Sequence, residues 1–349
     1  MEKLLTPAEL LAENASRPLL DVRSPGEFRR GHIPAAVSFP LFTDDERAQV
    51  GTVYKQKGKE AALALGLEFV GPKMAGFVRE AQRIAPGKRI AVHCWRGGQR
   101  SRSVAWLLGM AGFEVQLLVG GYKNYRRHIL ENIGKTPPQL IVIGGRTGTG
   151  KTKILHELAK QGEQIIDLEA LAHHKGSAFG WLGERPQPTV EQFENDLFEA
   201  VRGLDPARRV WVENESRSVG QVFLPDDFWA RMKAAPLLNI AVPFEARVQN
   251  LLDDYARFPA ADLELSFQKI GRKLGGLQLK NALDALRDGD FRAAAEIALH
   301  YYDKTYQHGL ENNPSPVIRL LDFAHADCSK IAQDCIQLAE NEFFTLEKK

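Results

Sequence analysis

The sequence is poor in cysteine. Three among 349 residues, Cys94, Cys328 and Cys335, are too few for a disulfide framework and predict a reducing, cytoplasmic compartment. Long apolar runs are also missing. No stretch approaches the roughly 20 apolar residues of a membrane-spanning helix, and the opening Met1-Glu-Lys-Leu-Leu-Thr-Pro7 has no apolar signal core. No internal repeat and no low-complexity segment is present. Net charge is small, +2, but unevenly spread: residues 1–132 carry 20 Lys/Arg against 13 Asp/Glu, and the remainder 26 against 31. A basic first part suits an anionic macromolecule, although a solvated basic face gives the same count. With 44% apolar and 26% charged residues, the composition is that of an ordinary globular protein long enough for two domains.

Residues 93–103 read His-Cys-Trp-Arg-Gly-Gly-Gln-Arg-Ser-Arg-Ser. An apolar strand pattern, 89–92, leads in, and a helical pattern, 104–108, leads out. Cys94 therefore sits at a strand end, followed by a loop whose helix starts near 99–101. Backbone N–H groups of such a loop converge, and the helix N-terminus adds partial positive charge. Arg96 and Arg100 add full charges. This setting favours the Cys94 thiolate and binds an anion against the sulfur. Trp95, Arg96, Gly97, Gly98, Gln99, Arg100 and Ser101 are the expected anion-binding residues. Tyrosine phosphatases and rhodaneses both use loops with cysteine and arginine at this spacing, so the loop alone leaves both open.

A second phosphate-binding pattern follows a linker, 133–138, whose two prolines stop a helix. Residues 139–143 form a buried-strand pattern. Then Gly145-Arg146-Thr147-Gly148-Thr149-Gly150-Lys151-Thr152 fits G-x-x-x-x-G-K-[ST] without mismatch, and a helical pattern, 153–160, follows. The loop amides wrap phosphate oxygens, Lys151 bridges others, and the Thr152 hydroxyl is a candidate Mg²⁺ ligand. Strand patterns at 164–168, 209–213 and 237–242, alternating with helices, predict a parallel sheet covered on both faces. Asp167 and Glu213 close two of these strands. Each is a candidate metal- or water-positioning acid, with a helix cap or salt bridge as the alternative. Neither follows four apolar residues ending in Asp, which weakens the case for ATP hydrolysis. The polar strand-end loop 213–220 lies where such sheets bind ligands. His173 and His174 are adjacent and cannot share a helix face. Zinc is therefore not expected, and residues 168–183 read as a Gly-rich substrate loop.

Elsewhere, Thr6-Pro7-Ala8-Glu9 carries a capping-box signature. Residues 44–59 are polar and read as a solvated loop, with RNA contact by Tyr54-Lys-Gln-Lys-Gly-Lys59 as the alternative. Residues 60–84 are helical, broken at Gly71-Pro72, and 114–118 and 122–130 read as strand and helix. From 243 onward the pattern is helical: 244–255, 261–274, 277–287 and 291–306. Arg272, Lys273 and Lys280 make a basic group. Tyr301, Tyr302 and Tyr306 suit core packing, with stacking on RNA bases as the alternative. Cys328 and Cys335 read as ordinary core or surface cysteines, and 311–349 as a C-terminal helical extension.

The run Asp21-Val-Arg-Ser-Pro-Gly-Glu27-Phe28-Arg-Arg-Gly31-His32-Ile33-Pro34 resembles the N-terminal signature of rhodanese domains. With the Cys94 loop and Leu118-Val119-Gly120-Gly121-Tyr122, that resemblance covers residues 1–132. It displaces the phosphatases, which lack the first and last signatures. A rhodanese domain joined to a P-loop domain, 139–310, resembles the tRNA 2-selenouridine synthase family over nearly the whole chain. The resemblance implies an α/β protein: an N-terminal rhodanese-like domain, then a P-loop NTPase-like parallel-sheet domain with extra helices. It implies an enzyme that converts 2-thiouridine at the tRNA wobble position into 2-selenouridine. Selenophosphate would be the donor, and an S-geranylated intermediate would come from geranyl diphosphate. No tightly bound cofactor and no membrane are expected. The expected partners are tRNA, selenophosphate, a prenyl diphosphate and an enzyme that makes selenophosphate. On this reading Cys94 attacks selenium and carries it as a perselenide. The seven-residue loop, one longer than the six-residue loop of sulfurtransferase rhodaneses, fits a larger anion. The P-loop would hold the diphosphate of geranyl diphosphate. The alternative is a rhodanese sulfurtransferase fused to an ATP-dependent kinase.

Overall fold

The computed structural model describes residues 3–12, 17–135, 139–311 and 317–343. Residues 136–138 of the expected linker, and 312–316 and 344–349 of the expected extension, lie outside them. The chain divides into two compact units, Met1–Asn132 with Glu194–Asp196, and Ile133–Phe193 with Leu197–Lys349.

In the first unit, strands β1 (Lys3–Leu5), β2 (Leu19–Asp21), β3 (Val37–Ser38), β4 (Arg89–His93) and β5 (Glu114–Leu118) form one parallel sheet. Its order is β1-β5-β4-β2-β3. Ile90, Ala91 and Val92 of β4 are buried, as the apolar run requires of a strand covered on both faces. Register places Asp21 beside His93, so two strand ends meet directly under Cys94. Helices α1 (Pro7–Ala12) and α2 (Pro25–Arg30) each start on a capping box, Thr6 with Glu9 and Ser24 with Glu27.

Residues 44–59 are helix, where a solvated loop was expected. Helix α3 (Asp44–Val70) begins at Thr43, whose hydroxyl accepts from the Glu46 amide at 3.2 Å while Glu46 Oε2 accepts from the Thr43 amide at 2.9 Å. The helix turns sharply at Gly58, φ +86°, where a left-handed backbone suits glycine. After a 3₁₀ turn, Gly71–Lys73, α4 (Met74–Ile84) follows. One 18-residue window within 44–84 reaches a mean hydropathy of 1.4 and meets the length and composition of a membrane span. Gly58 and Gly71–Lys73 break the helical stretch 44–84, and Val50, Phe69, Val70 and Phe77 pack on the sheet's core. Helices α5 (Gln99–Met110) and α6 (Gly121–Asn132) complete the unit.

In the second unit, β6 (Leu140–Gly145), β7 (Gln164–Ile166), β8 (Val210–Glu213), β11 (Leu237–Ala241) and β12 (Ile318–Asp322) form a parallel sheet, order β12-β11-β6-β8-β7. Strands β9 (Ser218–Val219) and β10 (Val222–Phe223) make a separate small hairpin. The expected C-terminal helical extension is instead part of this unit. Strand β12 pairs with β11 from Leu237↔Ile318 to Ala241↔Asp322. Helix α15 (Cys328–Phe343) buries Ile331, Ala332, Cys335 and Ala339 against Ile154, Leu155 and Leu158 of α7 (Lys151–Lys160). Cys335 is thus a core residue, and burial pushes its thiol up to about 12. Short helix α8 (Leu168–Ala172) follows β7, then come α9 (Val190–Arg202) and α10 (Asp226–Ala234), the latter packed on β6. Helices α11 (Phe244–Tyr255), α12 (Ala260–Leu274), α13 (Gly276–Arg287) and α14 (Phe291–Glu311) surround a second apolar core that includes Phe179, Leu263, Phe267 and Leu286.

Candidate functional site

The first site is the β4–α5 turn. Cys94 follows β4 and is only 3% exposed. Ser101, fully buried in the first turn of α5, places its Oγ 3.2 Å from Cys94 Sγ and 3.1 Å from the Gly98 carbonyl, to which it donates. Among the described residues, no Trp95, Arg96, Gly97 or Gly98 amide is donated to a backbone carbonyl. They are left as a ring of donors at a helix N-terminus. The loop rests on Gly121, φ +59°, where a Cβ would fall 2.2 Å from the Cys94 carbonyl oxygen and 2.5 Å from the Gly97 nitrogen. Trp95, Arg96 and Gln99 are exposed on its rim.

Arg100 is not a free cation. Its guanidinium donates to both Glu27 oxygens, at 2.7 and 3.3 Å. Burial works against the charge of each partner, but the pair outweighs it. Glu27 is held below the usual carboxylate range, and the Arg100 guanidinium is raised. Glu27 Oε2 also accepts from the Ser24 amide at 3.0 Å, so one carboxylate caps α2 and fixes the end of the Cys94 loop. Behind the loop, Asp21 and Arg23 form a fully buried pair at 2.6 Å. His93 Nε2 lies 3.7 Å from Asp21, and burial lowers the His93 ring's affinity for a second proton. Beside the loop, Leu63, Leu67, Val50 and Tyr54 of α3 wall an open groove of about 580 Å³ that reaches Gln99, Arg100 and Ser103.

The second site is the β6–α7 turn. Gly145, Gly148 and Gly150 all take positive φ, and a Cβ at Gly148 would lie 2.8 Å from the Arg247 carbonyl oxygen. The loop is braced from outside. Tyr306 Oη accepts from the Gly145 amide at 2.7 Å, Arg247 Nε donates to the Thr147 carbonyl at 2.8 Å, and Asn250 donates to the Gly148 carbonyl at 2.9 Å. Asp303 holds Arg247 through two hydrogen bonds. Lys151 Nζ donates to the Gly145 carbonyl at 3.2 Å. Arg146, Thr147, Thr149 and Thr152 complete the predicted loop, with Thr149 buried.

Glu213 closes β8 within 2.8 Å of the Thr152 hydroxyl. Asp167 does not join it: its oxygens accept from the Ala170 amide at 2.8 Å and pair with His156 at 2.7 Å, so it caps α8. Two acids not singled out from the sequence stand there instead. Glu169 Oε2 lies 3.0 Å from the Thr152 hydroxyl, and Glu169, Glu213 and Glu215 bring one oxygen each within 4.8 Å of one another. Burial, then the neighbouring carboxylates, push the Glu169 carboxyl up to about 7 and Glu213 well above its usual range; burial also raises Glu215. Glu213 Oε2 is buried with no hydrogen-bond partner among the described residues. An orphaned carboxylate oxygen beside a P-loop threonine fits a divalent cation, and the hard oxygen donors fit Mg²⁺.

The polar cavity over this loop, about 800 Å³, is lined by Lys151, Thr152, Glu169, Lys175 and Glu215. It shares Thr147, Ser177, Leu251, Tyr255 and Tyr302 with a second recess of about 520 Å³. Phe179, Leu263, Phe267, Leu286 and Ala298 make most of that recess apolar. Burial raises both tyrosines, Tyr302 up to about 12, which keeps them neutral hydrogen-bond donors. Tyr302 and Tyr306 thus pack and hydrogen-bond within the unit.

Comparison with known proteins covers both units. A family model described as the tRNA 2-selenouridine synthase AAA domain matches residues 138–334, and a rhodanese-like domain model matches 6–128. A tRNA 2-selenouridine synthase of Bdellovibrio bacteriovorus is 38% identical, over 86% of this chain and 91% of its own length. Those of Nitrosomonas europaea and Sulfurovum sp. are 39% and 34% identical, over 69% and 86% of this chain and 64% and 91% of their own lengths.

Proposed function

The chain belongs to the tRNA 2-selenouridine synthase family, and from that premise we propose that it converts 2-thiouridine at the wobble position of tRNA into 2-selenouridine in two steps. The P-loop site alkylates the sulfur with geranyl diphosphate. The Cys94 site then delivers selenium from selenophosphate. The first step balances as a substitution. The thiocarbonyl sulfur forms a bond to C1 of the prenyl group while the C1–O bond breaks. Diphosphate leaves with the electron pair, and the uridine N3 proton passes to solvent. In the second step a selenium nucleophile bonds to C2 and the prenylthiolate departs. Alkylation matters because a thiocarbonyl sulfur is a poor leaving group and a thiolate is a better one.

The observation that carries this reading is the pair of joined cavities in the second unit. Loop amides and Lys151 suit a diphosphate, and the adjoining recess offers apolar side chains where a nucleotide base would need polar partners for its edges. Its size falls within the roughly 300–1,000 Å³ of ligand pockets. Thr152, Glu213 and Glu169 would hold Mg²⁺, which would neutralise charge on the departing diphosphate. The anion ring over Cys94 suits the phosphate end of selenophosphate, and the three free cysteines suit a reducing, cytoplasmic setting.

Mass spectrometry of the wobble nucleoside tests this. Thiouridine tRNA is incubated with geranyl diphosphate, with selenophosphate, and with both. S-geranyl-thiouridine in the first tube and selenouridine only in the third are expected. An unchanged nucleoside throughout, with thiosulfate turnover and ATP consumption instead, would replace this reading by a sulfurtransferase joined to a kinase.

A further inference from the structure

We propose that Cys94 attacks phosphorus, not selenium, and that the 94–101 loop is a phosphoryl-transfer site which frees selenide beside the tRNA. This rests on selenophosphate being the donor. The electron count favours it. Selenium in selenophosphate is already at the selenide level and bound to P(V). A thiolate that bonded to selenium would make S–Se only if phosphorus left with the P–Se pair, as a P(III) phosphite, or if an oxidant were supplied. The perselenide expected on Cys94 therefore does not balance with phosphate as the product. Attack at phosphorus does. The S–P bond forms and the P–Se bond breaks. Selenide leaves with the electron pair and takes a proton from solvent, and phosphorus stays P(V). Water then cleaves S-phosphocysteine to phosphate and restores the thiolate. The released selenide is the nucleophile that displaces the prenylthiolate at C2.

The loop is built for that transfer. Four amides, Trp95 to Gly98, are undonated to backbone carbonyls among the described residues. They point to a tetrahedral oxyanion whose charge spreads over three equatorial oxygens in the transition state. Cys94 is 3% exposed, so its sulfur is shielded from bulk water. Arg100 is fixed by Glu27 at the helix start, which keeps a cation at the loop without leaving it mobile. Ser101 Oγ lies 3.2 Å from Sγ; its one proton, given to the Gly98 carbonyl at rest, turns to the sulfur as it becomes the leaving group when water cleaves S-phosphocysteine. A sulfur that merely stored selenium would need no such donor for its release.

The test uses the full-length protein, S-geranyl-thiouridine tRNA and selenophosphate carrying radiolabelled phosphorus, with acid quenching. A phosphoryl and a selenium adduct have nearly the same mass, so the phosphorus label and the selenium isotope envelope of the Cys94 peptide decide between them. Labelled phosphorus on that peptide, absent from Cys94→Ala, is expected. In Ser101→Ala the labelled form should accumulate while phosphate release slows roughly tenfold to a hundredfold, with the thermal midpoint near that of the unsubstituted protein. A selenium envelope on Cys94 with phosphite among the products overturns the proposal. So does normal selenouridine formation with neither element on the peptide. If the protein makes no selenouridine from selenophosphate at all, the donor assignment under the proposed function fails with it.

Discussion

The three carboxyls around Thr152 predict that the metal-free protein loses stability as pH rises toward neutrality. Glu169 has an ordinary value of 4.5 and is pushed up to about 7 in the fold. Between those values the folded state holds a proton that the unfolded chain has released. The Glu169 contribution to stability therefore falls across that window and levels off above it. Carried in full, the displacement is worth at most ~3 kcal/mol. Water reaching the partly exposed Glu169 reduces this to roughly 1–2 kcal/mol, and for a unit of this size that is about 2–8 °C in thermal midpoint. The assay is thermal unfolding in chelator from about pH 5 to about pH 8, wild type against Glu213→Gln. Glu213 is itself held well above its ordinary range, so the substitution removes one of the groups that keep a proton in the folded state; its midpoint should fall less across the window and exceed wild type at the alkaline end. Excess Mg²⁺ should raise the wild-type midpoint there and do little for the variant. Parallel pH profiles for the two proteins, or an unchanged Mg²⁺ response in Glu213→Gln, would refute the reasoning.

Three further outcomes are expected. Glu27→Gln keeps a side chain able to cap α2 but loses the ion pair with Arg100. It should cost roughly 1–2 kcal/mol in chemical denaturation and weaken selenophosphate use while leaving geranylation at the wild-type rate. Ala298→Leu narrows the apolar recess, so product analysis should show a shift from geranyl toward a shorter prenyl diphosphate; an unchanged preference would remove that recess from the reaction. Gly121→Ala forces a Cβ 2.2 Å from the Cys94 carbonyl oxygen at φ +59°. It should cost roughly 2 kcal/mol or more in unfolding experiments and abolish selenation before alkylation.

Both phosphate loops were legible because their chemistry is local: cysteine or lysine, glycines and a helix start lie within eight residues of sequence. The partners that fix them were not, because the fold supplies them from afar. Glu27 stands 73 residues before Arg100, and Glu169, Glu215, Arg247 and Tyr306 reach the P-loop from separate strand ends and helices. Asp167 looked as suitable as Glu213, but a strand-end Asp directly before a helix satisfies its amides first. The first part of helix α3, 44–59, was hidden by its polar surface, although Thr43-Asp-Asp-Glu46 is a capping-box signature that periodicity does not register. Strand β12 escaped notice because an edge strand with three of its five residues exposed lacks the apolar run that marked β4 and β6.

That last strand gives the two sites different histories during synthesis. Every strand of the Cys94 sheet has been translated by residue 118. The P-loop sheet waits for residues 318–322, and α7, which carries Lys151 and Thr152, waits longer for α15 to cover it. At about 5–20 residues per second on the ribosome, the cysteine loop closes many seconds before the phosphate loop has its last wall. A chain stopped after α14 would retain a finished Cys94 loop and an unfinished P-loop site. Under the proposed function, such a product would lack the means of activating the thiouridine sulfur.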